Sequence, residues 1–298
     1  MCKSHITAQK LLKLLCVRYF YTITIYLLFL GLGREVVSFR RLFSLFSPLG
    51  GSISSGFISC FLLFFLLIPF LNAFLENLGR SLHLKLVLLL LGVFSFATVI
   101  PYFSVYFNYV TWFSILYITV AYLRFYPNRL TNSLKWTGSC MALSVFLAMC
   151  FSVILPNILT AYINKRFVYF IYYFTSDSNQ ILALTTGISS FLFFKNLRMP
   201  YSKVINAIGS TTFGVLCIHA NSNAMRSFLW KDLFKNGEYY DSSFFLIHSF
   251  GVVLLVFTVC SIIDFTRIII FEPGMMSFSS SIASYIRNNF QKKNLCNH

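Results

Sequence analysis

The stretch FFLIHSFGVVLLVFTVCSIIDFTRIII, residues 244–270, carries one acidic and one basic residue in an otherwise apolar run. It exceeds the roughly 20 apolar residues that cross a bilayer core about 30 Å thick, so it reads as a transmembrane helix. Asp264 and Arg267 stand three residues apart on one helical face near the end of the span, where a local ion pair is expected. His248, near the other end, is expected as an interfacial histidine. Similar runs recur at residues 14–33, 53–74, 84–103, 109–125, 136–155, 180–194 and 204–218, which gives about eight spans. The chain has 298 residues, of which 57% are hydrophobic and 11% charged, and its mean hydropathy is +0.74. That leaves too few polar groups to cover a soluble globule. The expected fold class is therefore all-α, a polytopic transmembrane helical bundle. No Gly/Ser-rich or Pro-rich linker interrupts it, which predicts one membrane domain over residues 1–298.

The formal charge of +16 comes from 24 Lys and Arg against 8 Asp and Glu. A nucleic-acid groove would gather these cations on one face. Here they are dispersed in short loops, so no nucleic-acid partner is expected, and the bias of cations toward the cytoplasm explains them better. With both termini cytoplasmic, most of them, Lys10, Lys13, Arg80, Arg124 and Lys195 included, fall on the cytoplasmic side of a multi-pass protein of the cell membrane. Arg34, Arg40 and Arg41 crowd a connection that this topology puts outside, and they do not fit the rule. The opening MCKSHITAQKLLKLL is basic and amphipathic without a small-residue cleavage site, so no cleaved signal is expected. Eight cysteines are scattered without a CxxC pair or metal-ligand spacing, which predicts buried thiols and no metal site.

The densest polar group abutting a span is His219, Asn221, Asn223 and Arg226. If the helix continued past Ile218, then His219, Asn223, Arg226 and Trp230 would form one stripe. Two readings stay open. The group is an outer-boundary cap with Trp230 as interface anchor, or it is part of a site in which the histidine exchanges a proton near neutral pH. HExxH, a Walker loop, GxSxG and a strand-linked GxGxxG are all absent, so metalloprotease, P-loop and serine-hydrolase chemistry have no support.

The order Ile205 Asn206, Ser210 Thr211 Thr212 Phe213 Gly214, Cys217 Ile218 His219 Ala220 Asn221, Arg226 and Leu229 Trp230 resembles a late-span signature of the acyltransferase 3 family. Two further stretches are similar to its glycan-modifying branch: Leu67 Ile68 Pro69 Phe70 Leu71 Asn72, and Val110 Thr111 Trp112 Phe113 with Tyr117 and Ala121 Tyr122. Together the resemblance runs from about Lys10 to Arg267. It implies a membrane enzyme that moves an acyl group, commonly acetyl from acetyl-CoA, onto a hydroxyl of a cell-surface glycan such as capsule or O-antigen. It implies no tightly bound cofactor, acetyl-CoA or another acyl-CoA as donor, and membrane lipids and a glycan acceptor as partners. His219 is then the candidate catalytic base or a group that positions the acceptor. Asn221, Asn223, Arg226, Asn72, Trp112 and Tyr117 are candidates for acceptor binding. Lys10 and Lys13, similar to an Arg-x-x-Arg element, are candidates for the phosphates of CoA.

The family usually has about ten spans of bilayer-crossing length. Its first span carries an arginine followed at a short spacing by a histidine taken as the base, and no span here shows that pair. The expectation is that two spans are missing, so that a second chain supplies them or the chain alone is an inactive truncated acyltransferase. A polytopic transporter of glycan or lipid fits the composition equally well.

Overall fold

The computed structural model describes residues 8–46, 53–100, 105, 108–155, 158, 174–239 and 242–295. Every regular element among them is helical. In hydrocarbon the backbone amides and carbonyls must pair within their own segment, and a helix achieves this. In chain order the helices are α1 (Ala8–Gly31), α2 (Phe39–Phe46), α3 (Ile53–Glu76), α4 (Arg80–Leu91) and α5 (Tyr109–Phe125). They continue with α6 (Leu134–Met149), α7 (Ile181–Asn196), α8 (Lys203–His219), the single turn α9 (Asn223–Ser227) and α10 (Phe245–Leu295).

Each of the eight apolar runs lies on a helix, but they are not equally long. Five stretches have the length and composition to cross a membrane: Gln9–Gly31, Gly56–Glu76, Arg80–Val99, Leu134–Ser152 and Phe245–Gly274. Helices α5 and α7 are apolar and shorter, and α8 has 17 residues. At the other extreme α10 has 51 residues, about 75 Å at 1.5 Å per residue, and therefore overruns a bilayer. Residues 101–104, 106–107, 156–157 and 159–173 lie outside the described residues, as do Cys2 and Cys296. Cys217 and Cys260 are buried as expected, whereas Cys16, Cys60, Cys140 and Cys150 are half-buried.

Short polar side chains start the helices by accepting orphan backbone amides. Asn108 accepts from Thr111 N at 2.9 Å, Ser202 from Ile205 N at 3.3 Å and Ser222 from Met225 N at 3.1 Å. Helix α4 passes into a π-helical turn at Gly92–Phe96, and within it the Phe94 carbonyl accepts from Asn179 Nδ2 at 2.8 Å.

The helices gather in two compact units, residues 1–66 with 201–298 and residues 67–200, with α3 running from one into the other. The core of the first unit is built on a four-residue repeat, Val17, Tyr21, Ile25 and Phe29 of α1. It packs against Ile58 and Leu62 of α3, Val215 and Ile218 of α8, and Val252, Val256 and Cys260 of α10. Helix α10 runs antiparallel to α1, as Tyr21 meets Asp264 while Lys13 meets Glu272. Helix α8 runs parallel to α1: Gly214 lies at the level of Asp264, and beyond the end of α8 Phe228 meets Phe29. The second unit has two cores, one of Trp112, Ile115 and Leu184, the other of Leu75, Val87 and Ile118.

Candidate functional site

Helix α8 ends at His219, so the stripe that a helix continuing past Ile218 would make does not form. The backbone leaves the helix at Ala220 (φ −106°, ψ 18°) and is extended at Ser222 (φ −149°, ψ 166°) before α9 begins. The cause is local. Asn221 Nδ2 donates to the Cys217 carbonyl at 3.0 Å and the Ser222 hydroxyl caps α9, so side chains take backbone partners that a continuing helix would use. The break separates the group: Asn221 is buried beside the end of α8, Asn223 and Arg226 are exposed, and Trp230 packs on the core.

His219 Nδ1 lies 2.7 Å from the Val215 carbonyl. A carbonyl can only accept, so Nδ1 carries the hydrogen and Nε2 is the basic nitrogen of the neutral ring. Lys10 is exposed, and Lys13 forms an ion pair with Glu272. Counting residues from the shared level of Gly214 and Tyr21, His219 and Lys13 are about 20 Å apart along the helix axes.

Between those levels lies a buried polar network that the sequence shows only in part. The expected Asp264 and Arg267 pair is present, with Nε to Oδ1 at 2.6 Å and Nη2 to Oδ2 at 3.3 Å. It is not a surface feature: Asp264 is fully buried and Arg267 is 5% exposed. The Tyr21 hydroxyl donates to Asp264 Oδ1 at 2.7 Å, and Arg267 Nη1 lies 3.7 Å from Glu272 Oε2, the acid that also pairs with Lys13. Arg18, also buried, lies over the Tyr19 ring at 5.6 Å. Gly214 is the contact point of α8, because a Cβ there would fall 2.0 Å from Asp264 Cγ. Charges at this depth are costly unless paired, so the network fixes α1, α8 and α10 against one another. Sequence reasoning missed Tyr21 because 243 residues separate it from Asp264.

In the second unit Tyr117 donates to Asn72 Oδ1 at 2.5 Å, so two expected residues meet across 45 positions. Asn72 stands three residues after Pro69, whose missing amide leaves one helical bond of α3 unmade. Trp112 does not border an open site: it is 2% exposed and packs with Ile115 and Leu184. Its large apolar surface, moderately placed among helical neighbours, accounts for that burial.

His83 was not anticipated. It is fully buried, Nε2 lies 3.0 Å from the Ile118 carbonyl, and its ring meets Tyr122 edge to face with centroids 5.3 Å apart. Grooves among the described residues include the following two. One, of about 380 Å³, runs between α8 and α10 past Ala207, Thr211, Ser261 and Phe265. The other, of about 340 Å³, lies between α6 and α7 past Trp136, Cys140 and Ile188. None of the residues expected at a site lines either groove.

No curated protein and no solved structure matches the chain. The family model described as an acyltransferase domain matches residues 4–265, and the chain accordingly belongs to the acyltransferase 3 family.

Proposed function

We propose that this chain is a membrane O-acyltransferase that moves an acetyl or other acyl group from acyl-CoA to a hydroxyl of a cell-surface polysaccharide such as capsule or O-antigen. The observation that carries this reading is the family match over residues 4–265. The membrane-spanning helices suit it, since the donor is cytoplasmic and a surface glycan is completed on the other side.

In the reaction the acceptor hydroxyl oxygen forms a bond to the thioester carbonyl carbon, the carbon–sulfur bond breaks, and CoA leaves as its thiol. His219 Nε2 takes the hydroxyl proton in this reading, because Nδ1 is held by Val215. Asn221, Asn223 and Arg226 bind the acceptor near it, and Asn72, Trp112 and Tyr117 are assigned to the acceptor by the family resemblance alone. Lys10 and Lys13 hold the CoA phosphates as point charges, for which Lys13 exchanges Glu272 for phosphate. The roughly 20 Å between Lys13 and His219 requires the thioester end to enter the helices while the phosphates stay at the cytoplasmic end.

Both termini are cytoplasmic in this reading and the membrane is the cell membrane. The antiparallel course of α1 and α10 supports an even number of crossings. Residues 1–298 act as one membrane domain, and a second chain contributing further spans would copurify with it.

The test is transfer of radiolabelled acetyl from acetyl-CoA to purified polysaccharide by membranes containing this chain, with and without His219→Ala. Label should appear on the glycan, and the variant should lose about a hundred- to ten-thousandfold in rate. Unlabelled glycan that crosses the membrane would replace the enzyme reading with a transporter.

A further inference from the structure

Arg34, Arg40 and Arg41 follow α1 on the side where cations are sparse, and orientation bias does not account for them. The structure gives this connection a definite course. Helix α1 ends in a left-handed turn at Gly33 (φ 67°), with Gly33 N bonded to Leu30 O at 3.1 Å and Arg34 N to Phe29 O at 2.9 Å. Arg34 then pairs with Asp232 and lies over the Phe228 ring at 5.0 Å. From there the chain folds back. The Tyr26 hydroxyl donates to the Val36 carbonyl at 3.4 Å, and α2 packs against α1. The residues entering α2 therefore lie beside the last turns of a membrane-crossing helix, at the depth where such a helix meets the headgroups.

Successive residues around α2 advance by about 100°, which places Phe39, Leu42, Phe43 and Phe46 in one arc. Arg40, Ser44 and Arg41 occupy helix positions on the other side. A soluble protein buries such an apolar arc in its core. Among the described side chains of α2, Leu45 is turned inward at 7% exposed, while Phe39 is 86% and Phe43 69% exposed, and Val36 just before the helix is 79% exposed.

We propose that α2 is an in-plane anchor, with Phe39, Leu42 and Phe43 at the acyl-chain border of the bilayer and the charge of Arg40 and Arg41 selecting anionic phospholipids. Two observations name this occupant. The leucines at the end of α1, Leu27, Leu28 and Leu32, are exposed on a helix of bilayer-crossing length and lie shortly before α2. With Arg34 paired to Asp232, the rest of the connection to Phe46 carries Arg40 and Arg41 against the single acid Glu35, a charge balance that fits phospholipid phosphate.

The test uses the full chain in nanodiscs of equal parts phosphatidylglycerol and phosphatidylcholine. A photoreactive benzoylphenylalanine replaces Phe43 in one preparation and Leu45 in another, and adducts are identified by mass spectrometry. Position 43 should yield phospholipid adducts, and position 45 should yield crosslinks within the chain. Phosphatidylglycerol should be enriched several-fold among the adducts, since one cation near an anionic surface contributes roughly fivefold. Arg40→Gln together with Arg41→Gln should remove that enrichment while leaving lipid adducts in place. Crosslinks from position 43 to a second copy or another protein, or an absence of lipid adducts there, would overturn the anchor. An unchanged lipid preference in the double variant would overturn the headgroup assignment.

Discussion

Replacing Gly214 by alanine sets helix propensity and packing against each other. In a helix interior alanine is favoured over glycine by about 1 kcal/mol, so propensity alone predicts a more stable protein. The structure predicts the opposite. The new Cβ would lie 2.0 Å from Asp264 Cγ and 2.1 and 2.5 Å from its oxygens, whereas ordinary contact begins at 3.4 Å. The carboxylate or a whole helix must therefore move by about 1.4 Å, the difference between the two distances. A shift of that size breaks the 2.7 Å bond from Tyr21, which as a bond to a charged acceptor contributes about 1.5–3 kcal/mol. Overpacking strain adds about 1–3 kcal/mol. Net of the propensity gain, Gly214→Ala should destabilise by roughly 2–5 kcal/mol. Detergent-titrated unfolding in bicelles, followed by circular dichroism, measures it. A variant as stable as the parent refutes the reasoning. Repeating the substitution in an Asp264→Ala background separates the clash from any general effect, because with the carboxylate gone the added methyl should become neutral or stabilising.

Asp264→Asn removes the carboxylate that holds Arg267 at 2.6 Å in a buried setting, leaving it Glu272 at 3.7 Å, and should cost about 3–5 kcal/mol in the same unfolding assay. Tyr21→Phe removes one bond to that carboxylate and should cost less, about 1.5–3 kcal/mol. Tyr117→Phe and Asn72→Ala should each destabilise, and a double-mutant cycle should show coupling of about 1 kcal/mol; additive effects would mean the 2.5 Å contact carries no energy. His83→Leu should destabilise by about 1–3 kcal/mol through loss of the bond to Ile118, read as a lower unfolding midpoint.

The long apolar runs were legible because bilayer thickness imposes a length on each helix, and the eight runs all lie on helices. Interior packing was less so. Asp264 and Arg267 were visible as neighbours three residues apart, but their third partner, Tyr21, lies at the other end of the chain, where no local spacing can point. The stripe from His219 to Trp230 failed because Asn221 and Ser222 spend their side chains on nearby backbone groups, a competition that hydrophobic periodicity does not register. His83 was hidden among leucines in RSLHLK, since a histidine that donates to a distant carbonyl has no sequence signature. The candidate site was legible as a set of residues and not as a place: Asn72, Trp112 and Tyr117 belong to one compact unit, and His219 and Lys13 to the other.

The bond between Tyr21 and Asp264 also sets a clock for biosynthesis. Translation at about 5–20 residues per second needs roughly 12–50 s to traverse the 243 residues between them. Throughout that interval α1, with Arg18 in its apolar length, is already made while α10 is not. The nascent first helix must therefore wait at the translocon or in the lipid with the Tyr21 hydroxyl still lacking its carboxylate acceptor. A ribosome that stalls before residue 264 leaves that hydroxyl without its acceptor in hydrocarbon, where an unmet hydrogen-bonding group is costly. Assembly of the first unit is thus necessarily one of the last events of synthesis, completed when α10 closes onto a helix that left the ribosome first.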